Sequence, residues 1–575
     1  MDYWDSPPMD RTQARLFYPT LDNEIPKDHP VRLFDEILSG LDWGPWEARY
    51  PHPLGRPPIH PKVMASVILY GMSMGIRSSR RLEEACLVRN DFLWLAEGRS
   101  IDHSTICEFR MAFGKELKDA FRQVGQVAIT LGLMRLNRIG LDGTRERANS
   151  SRHGTATAKT LEERATALDA LIDAAMAEAD AEDRKEEDLF GQTTPNKLPA
   201  SLAELKRRQE LIQQALAKVR AMDAKRATKK ARPGATGQGQ EKDGPTGQGP
   251  SAPPAEASQA PEAQASEGQA DQPAGADSKD KPRAAKVPVA DPGAAVMPNK
   301  DGGHAPNYTP FLAMDGERGY IADADVDNRP TEGQATVATV ERIEERFGQR
   351  PPQVLVDGAY ADGQQLSELE RLGVQTYVPV ETAGGDDPDN PAVRADPTQP
   401  VPPEAWGRLP RSTKGKKRAT LDRSAFVYDA ANDCFWCPNG RKLERKDSQK
   451  RGRADGHVVE VYRYECVGCE GCGLGHACRE GTGPRCVQVD EYEPVRRRVR
   501  ARTKSTGGQE VYKHRSWICE TPFGFIKTWM NFRQFLVRGL EKVKTEWLWA
   551  STAYNLRKLV RDVLRLRAKF AKMLA

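Results

Sequence analysis

Residues 137–144 read NRIGLDGT and residues 352–360 read PQVLVDGAY, two distant stretches with one local grammar. In each, a short hydrophobic run (RIGL, QVLV) ends in Asp-Gly, the pattern of a β-strand stopped by a turn. In open α/β sheets ligands bind outside the carboxyl ends of the strands, so if these strands are neighbours Asp142 and Asp357 converge on one edge. Taken singly, each Asp-Gly is an ordinary turn. A third acid gives the pair meaning. Residues 518–527, ICETPFGFIK, set Glu520 among Ile518, Phe523, Phe525 and Ile526. A carboxylate in such a run costs stability unless it is paired or coordinates something, and Glu520 has no partner within its own stretch.

Three converging carboxylates make a poor acid–base set but a good site for hard divalent cations such as Mg²⁺. Two ions about 3.5–4 Å apart can hold the attacking and leaving oxygens of a phosphoryl displacement. The neighbours of Glu520 suit such a substrate: Tyr512, Arg515 and Lys527 offer one hydroxyl and two cations to a phosphate backbone. Glu520 and Lys527 are seven apart and face the same way within about 20° in a continuous helix. Pro522 predicts that this helix either begins at Thr521-Pro522 or kinks there. Asp323, Asp325 and Asp327 alternate along IADADVDN and form a rival acidic face.

The elements around these acids predict an α/β layout with a mixed sheet. NYTPFLAMDGERGYIADADVDN (307–328) reads as two strands around Asp315-Gly316. A helix opened by Thr331 follows, then the five-residue strand before Asp357, a helix over 362–373 and a strand at VQTYVP. Residues 29–125 have helical spacing, with Val63, Val67, Leu69, Tyr70, Leu82, Ala85 and Cys86 on buried faces. The break EGRSIDHS before TICEFRMAFG, where Thr105 and Glu108 have capping-box spacing, is compatible with a helix-turn-helix. Two amphipathic stretches, 159–189 and 201–224, predict an antiparallel helical hairpin. From about 225 to 303 the chain is low in complexity, and with no Phe, Tyr or Trp between Phe190 and Tyr308 it reads as a disordered linker. The expected order is thus a helical, DNA-binding 1–130, a first core strand in 131–150, an inserted hairpin 151–224, linker 225–303, core 304–382, a Cys-rich insertion 383–500 and C-terminal helices 501–575.

Composition narrows the class. The chain of 575 residues is too long for one ordinary domain. It has no run of about 18 apolar residues to cross a membrane, and its start, MDYWDSPPMDRTQAR, lacks the apolar stretch of a signal peptide, so a cytoplasmic protein without a membrane partner is expected. Residues 495–575 hold 20 Lys and Arg against 5 Asp and Glu, a net +15, with Trp529, Phe532, Trp547 and Trp549 interleaved, which suits a polyanion. Eight of the ten cysteines lie between Cys434 and Cys519, and clustered cysteines in a reducing compartment point to metal rather than disulfides. Two Cys-x-x-Cys pairs, Cys434/Cys437 and Cys466/Cys469, have the spacing of a structural Zn²⁺ site. Cys472 and Cys478, with His476 alongside and Cys486 following, could replace one pair; an iron–sulfur cluster and an unmetallated state are the other readings. Cys86, Cys107 and Cys519 are expected as buried thiols.

Five stretches carry a resemblance: GRPPIHPKVMASVILYGMSMGIRSSRRLEEAC with DHSTICEFR, LDGTRERANSS, VLVDGAYAD, and YKHRSWICETPFGFIKTWMNFRQFLVRGLEKVKTEWLWASTAYNLRKL. Together they resemble a bacterial insertion-sequence transposase of the DDE class. The resemblance implies an RNase H-like catalytic core with a helical N-terminal domain, and Asp142, Asp357 and Glu520 as the catalytic triad on two Mg²⁺ or Mn²⁺ ions. It also implies double-stranded DNA as partner at the element ends and the target, a homodimer or higher multimer on that DNA, a nucleoid-associated location, and a metal in the cysteine insertion. The family pattern is Tyr, two residues, Arg, three residues, Glu, six residues, Lys; here four residues separate Arg515 from Glu520. The rival readings are a non-catalytic DNA-binding protein with a zinc module, and a nuclease without strand transfer.

Overall fold

A computed structural model describes residues 20–50, 57–190, 200–230, 284–299, 302–329, 333–379, 390–413, 418–453, 456–481 and 483–574. The chain divides into two compact units, one made of residues 1–155 with 288–575 and the other of 156–287.

In the first unit, β1 (Arg138–Gly143) lies at the centre of a mixed sheet. The long β2 (His304–Asp315) runs antiparallel to it, with Leu141 opposite Ala313, and β3 (Ile321–Asp327) runs antiparallel to β2. On the other side β4 (Gln353–Leu355) is parallel to β1, and β5 (Gln375–Tyr377) is parallel to β4. The order is therefore β3-β2-β1-β4-β5, with the short strands Glu146–Arg147 and Ala295–Pro298 also on β2. The second of these lies inside the stretch expected as linker: residues 295–298 are a sheet edge, while 231–283 lie outside the described residues.

β4 is three residues long rather than five, because Asp357 caps a 3-10 turn over Gly358–Tyr360 and draws the chain out of the sheet. The helix before β4 spans Thr336–Phe347 and is preceded by Ala335; Thr331 lies outside the described residues.

The N-terminal helices share one hydrophobic core with this sheet, a cluster running from Ile25 to Val560. A buried ion cluster joins them: Arg77 reaches Glu546 at 2.7 Å and Arg110 reaches it at 4.0 Å, with Glu546 fully buried. Arg77 also donates to the carbonyls of Asn531 and Gln534 at 2.8 Å and lies over the Phe532 ring. Two short helices flank the break at 96–102, and the expected cap needs correction. A further helix, Asn90–Leu95, separates Ser79–Val88 from His103–Ala112, and the N-cap of the last is Asp102, whose carboxylate accepts from the Ser104 N–H, not Thr105. Its exposed face carries Ser104, Thr105, Cys107 and Glu108 and no cation, since Arg110 is buried. Cys107 is exposed rather than a core thiol.

The C-terminal helix Leu540–Leu574 closes the core. Asn555 bonds both the N–H and the carbonyl of Ile321 on β3, and Trp547 donates to the Phe311 carbonyl. Trp547, Trp549 and Phe532 are thus core residues, not a nucleic-acid surface; of the four aromatics singled out in the tail, only Trp529 is half exposed. No helix among the described residues is long and apolar enough to cross a membrane.

Residues 390–490 carry a second small core and an antiparallel sheet of β6 (Val427–Asp429), β7 (Cys434–Trp436), β8 (Lys442–Gly452), β9 (Val458–Cys466) and β10 (Cys486–Asp490). In the second unit, helices Ala158–Phe190 and Ala200–Lys230 run antiparallel, tied by Glu162 to Arg220 and by Asp169 to Gln209. The second continues past 224, where its end was expected.

Candidate active site

Because β1 and β4 are parallel neighbours, their carboxyl ends emerge on one edge. Asp142 is the fifth residue of β1, and Asp357 lies two residues beyond β4. Their side chains are 21% and 39% exposed, so both carboxylates are within a ligand's reach. Each is oriented locally: Asp142 Oδ1 accepts from the Gly143 N–H at 3.0 Å and Asp357 Oδ1 from the Ala359 N–H at 2.8 Å.

Across this edge lies helix Thr506–Thr528. Its approach requires Gly140: a Cβ there would lie 2.7 Å from Ile518 and 2.9 Å from the Cys519 sulfur, contacts that real side chains do not make. The helix runs unbroken through Pro522, which is therefore not its start; the Thr521 hydroxyl bonds the Trp517 carbonyl at 2.8 Å beside it. Tyr512, Arg515 and Cys519 recur at i, i+3 and i+7 and share a face. Tyr512 donates to the Val356 carbonyl at 3.1 Å, fastening the helix to the end of β4.

Arg515 sits between the two aspartates, its Nη2 at 3.2 Å from Asp142 Oδ1 and 3.9 Å from Asp357 Oδ2. Burial works to lower its pKa, yet Asp142 first among the charges, and Asp357 with it, holds it above the ordinary value. Its Nε is buried without a partner among the described residues. The extra residue between Arg515 and Glu520 has a geometric consequence: five steps at about 100° place the two roughly 140° apart around the helix. Arg515 faces the strand ends while Glu520 is exposed beside them.

Cys519 reports the convergence of charge. Burial first, then Asp142, with Asp357 and Glu520 acting the same way and Arg515 opposing, pushes its thiol up to about 12. Asp142 and Asp357 thus act on this buried sulfur from the strand ends, whereas Glu520 acts as its neighbour in the chain. Among the described residues, the group of three potential ligands within 4.8 Å of one another is Glu83, Asp102 and His103, not the three acids. That trio, missed in the sequence, is a clasp between two N-terminal helices, with His103 Nδ1 at 2.9 Å from Glu83.

Lys527 does not face open solvent. Its ammonium binds Thr144 Oγ1 at 2.5 Å and Glu146 Oε1 at 2.7 Å, and Glu146 is buried. Glu146 and Thr144 were missed because their partner lies far along the chain, while locally they read as part of a turn. The rival aspartates are engaged elsewhere. Asp323, fully buried, pairs with Arg342 at 2.6 Å and Arg346 at 2.9 Å, Asp325 with Lys544, and Asp327 with Arg329. Several tail cations are likewise paired within the protein, Arg496 with Asp490 and Arg498 with Glu370.

The cysteines separate into two groups. Cys437, Cys466, Cys469, Cys472 and Cys478 line one cavity, which Cys434 does not reach. The expected Cys434/Cys437 pair fails because residues 434–436 form β7, where side chains alternate and positions three apart face opposite ways. Within the cavity a hydrogen bond from Cys466 chiefly lowers the Cys437 pKa, and the same bond raises that of Cys466.

A family model described as a transposase DDE domain matches residues 436–560, a span that includes the five cavity cysteines and Glu520. A second, described as a transposase domain (DUF772), matches residues 19–112 in the N-terminal helices. No curated protein and no solved structure gives a match. The DDE domain implies an RNase H-like fold, a divalent-metal-dependent enzyme and a DNA substrate, consistent with the mixed sheet and its acidic edge. Together the two matches, one towards each end of the chain, indicate an insertion-sequence transposase.

Proposed function

We propose that the protein cleaves phosphodiesters at the ends of its mobile element and transfers the freed strands to target DNA, with Asp142, Asp357 and Glu520 as the catalytic carboxylates. The observation that carries this reading is the meeting of two parallel strand ends and one helix at a single edge, with Arg515 of the helix between Asp142 and Asp357 and Glu520 five residues on. The donor set is hard oxygen, the chemistry Mg²⁺ or Mn²⁺ takes. A cation already lies between two of the acids, the Arg515 guanidinium, so the edge suits positive charge. Asp142, Asp357 and Glu520 would hold the ions. Bound there, they would polarise the phosphodiester and activate the attacking oxygen, first of water and then of the 3′-hydroxyl.

The chain's other groups prepare the edge. Arg515 neutralises Asp142 and Asp357, so the acids do not repel one another unopposed. Tyr512 and Gly140 set the distance of the helix from the strands, and Lys527 positions the segment after β1 through Thr144 and Glu146. DNA contact falls to cations of the N-terminal and C-terminal helices that have no internal partner, and pairing of two element ends calls for a dimer or higher multimer.

The test is strand cleavage and strand transfer on element-end DNA with Asp357→Ala. Loss of cleavage with retained DNA binding supports the reading; unchanged cleavage overturns the catalytic assignment in favour of a DNA-binding regulator. Cleavage by the unaltered protein without joined product would favour a nuclease.

A further inference from the structure

We infer that the module over residues 390–490 is built around one structural zinc ion held by Cys437, Cys469, Cys472 and Cys478, with Cys466 beside the site. Five cysteines, one at 437 and four between 466 and 478, line one cavity of about 20 Å³. That volume admits a single sphere of roughly water size. Soft thiolates in a four-coordinate shell select Zn²⁺.

The ligand set follows from what surrounds each sulfur. Cys437 opens the turn Cys437-Pro-Asn-Gly-Arg441, and its sulfur accepts the Arg441 N–H at 3.3 Å. Gly440 makes that turn possible: it adopts φ +68°, and a Cβ there would strike the Thr398 carbonyl. Cys472 Sγ accepts from Asn439 Nδ2 at 3.5 Å, so one turn serves two sulfurs. Cys478 is buried with Cys437, Cys469 and Cys472 as its thiol neighbours. Cys466 differs, because it ends β9 and its S–H points to the Val467 carbonyl at 3.7 Å. Cys434 and Cys486 lie outside the cavity lining.

Charge supports the same ion. Four thiolates on Zn²⁺ leave a net charge of about −2, which needs cations close by. Arg441, Arg479 and Arg485 all line the cavity and bind the carbonyls of Glu470, Cys469 and Cys478 at 3.2, 3.2 and 3.0 Å. They thereby brace the segment that carries three of the ligands. The sulfurs stand looser than in a metal shell, where bonds of about 2.3 Å set sulfurs about 3.8 Å apart. Binding replaces each S–H by a Zn–S bond, releases the protons and draws the two turns together.

The experiment uses the full chain, purified without added metal. Elemental analysis should find about one zinc per chain, and titration with a mercurial should release it as thiolates are consumed. Co²⁺ in place of zinc should give the intense bands of a tetrahedral thiolate site. Cys472→Ser and Cys478→Ser should lose the metal, whereas Cys466→Ser and Cys434→Ser should keep it. Iron in the purified protein, no zinc and no cobalt spectrum, or metal kept by Cys478→Ser but lost by Cys466→Ser would each overturn the assignment. Because the readout is metal content, it stands or falls separately from the DNA chemistry.

Discussion

The two cores of the first unit are built on different principles. The larger runs from Ile25 to Val560 and joins N-terminal helices, sheet and C-terminal helices through buried aromatics and the Arg77–Glu546–Arg110 cluster. The smaller contains fourteen buried residues among those described, three of them the cysteines 437, 466 and 478. A large core holds itself by apolar area, whereas a small one needs a staple. The site lies on the large core because its acids must be held to within a fraction of an ångström by elements that do not move independently.

The comparison is broken most forcefully at Glu546. Removing its carboxylate in Glu546→Ala leaves Arg77 and Arg110 buried without a counter-charge, a loss of about 3–5 kcal/mol. Urea unfolding should show one early transition for N-terminal helices and sheet together; separate transitions would mean the two do not share a core. Asn555→Ala comes next. It strands the N–H and carbonyl of Ile321, and at about 1–3 kcal/mol for a buried unsatisfied group it should lower the same midpoint.

Gly140→Ala should cost about 1–3 kcal/mol by overpacking against Ile518 and Cys519. Its effect on DNA cleavage should exceed its effect on stability, since the displaced helix carries Arg515 and Glu520. Equal effects would mean that the close contact serves packing alone. The smallest global change should come from a zinc chelator: limited proteolysis should open residues 390–490 while the unfolding midpoint of the large core stays put. Joint collapse of both would erase the distinction between the cores.

Much of the sheet was legible because its signals are local. Alternation and Asp-Gly turns marked β1, β2 and β3, and the shared grammar of Asp142 and Asp357 placed both acids at strand ends before any pairing was known. What the sequence hid depends on distant partners. Lys527 read as a phosphate ligand because Thr144, its partner 383 residues away, cannot be seen in a local window. Trp547 and Trp549 read as a nucleic-acid surface because basic neighbours dominate their stretch, yet the helix is buried on every side over 546–556. Cys434 looked like half of a metal knuckle until strand alternation turned it away from Cys437.

We propose that Glu520, exposed on its helix and with no ion pair or hydrogen bond of its side chain among the described residues, completes the acidic edge formed by Asp142 and Asp357. Glu520→Gln removes a charge and almost no volume, so the fold and DNA binding should persist. Measured on element-end DNA with Mg²⁺, strand cleavage by this variant should be abolished while gel-shift affinity is unchanged; full cleavage would contradict the account and make Glu520 a surface residue.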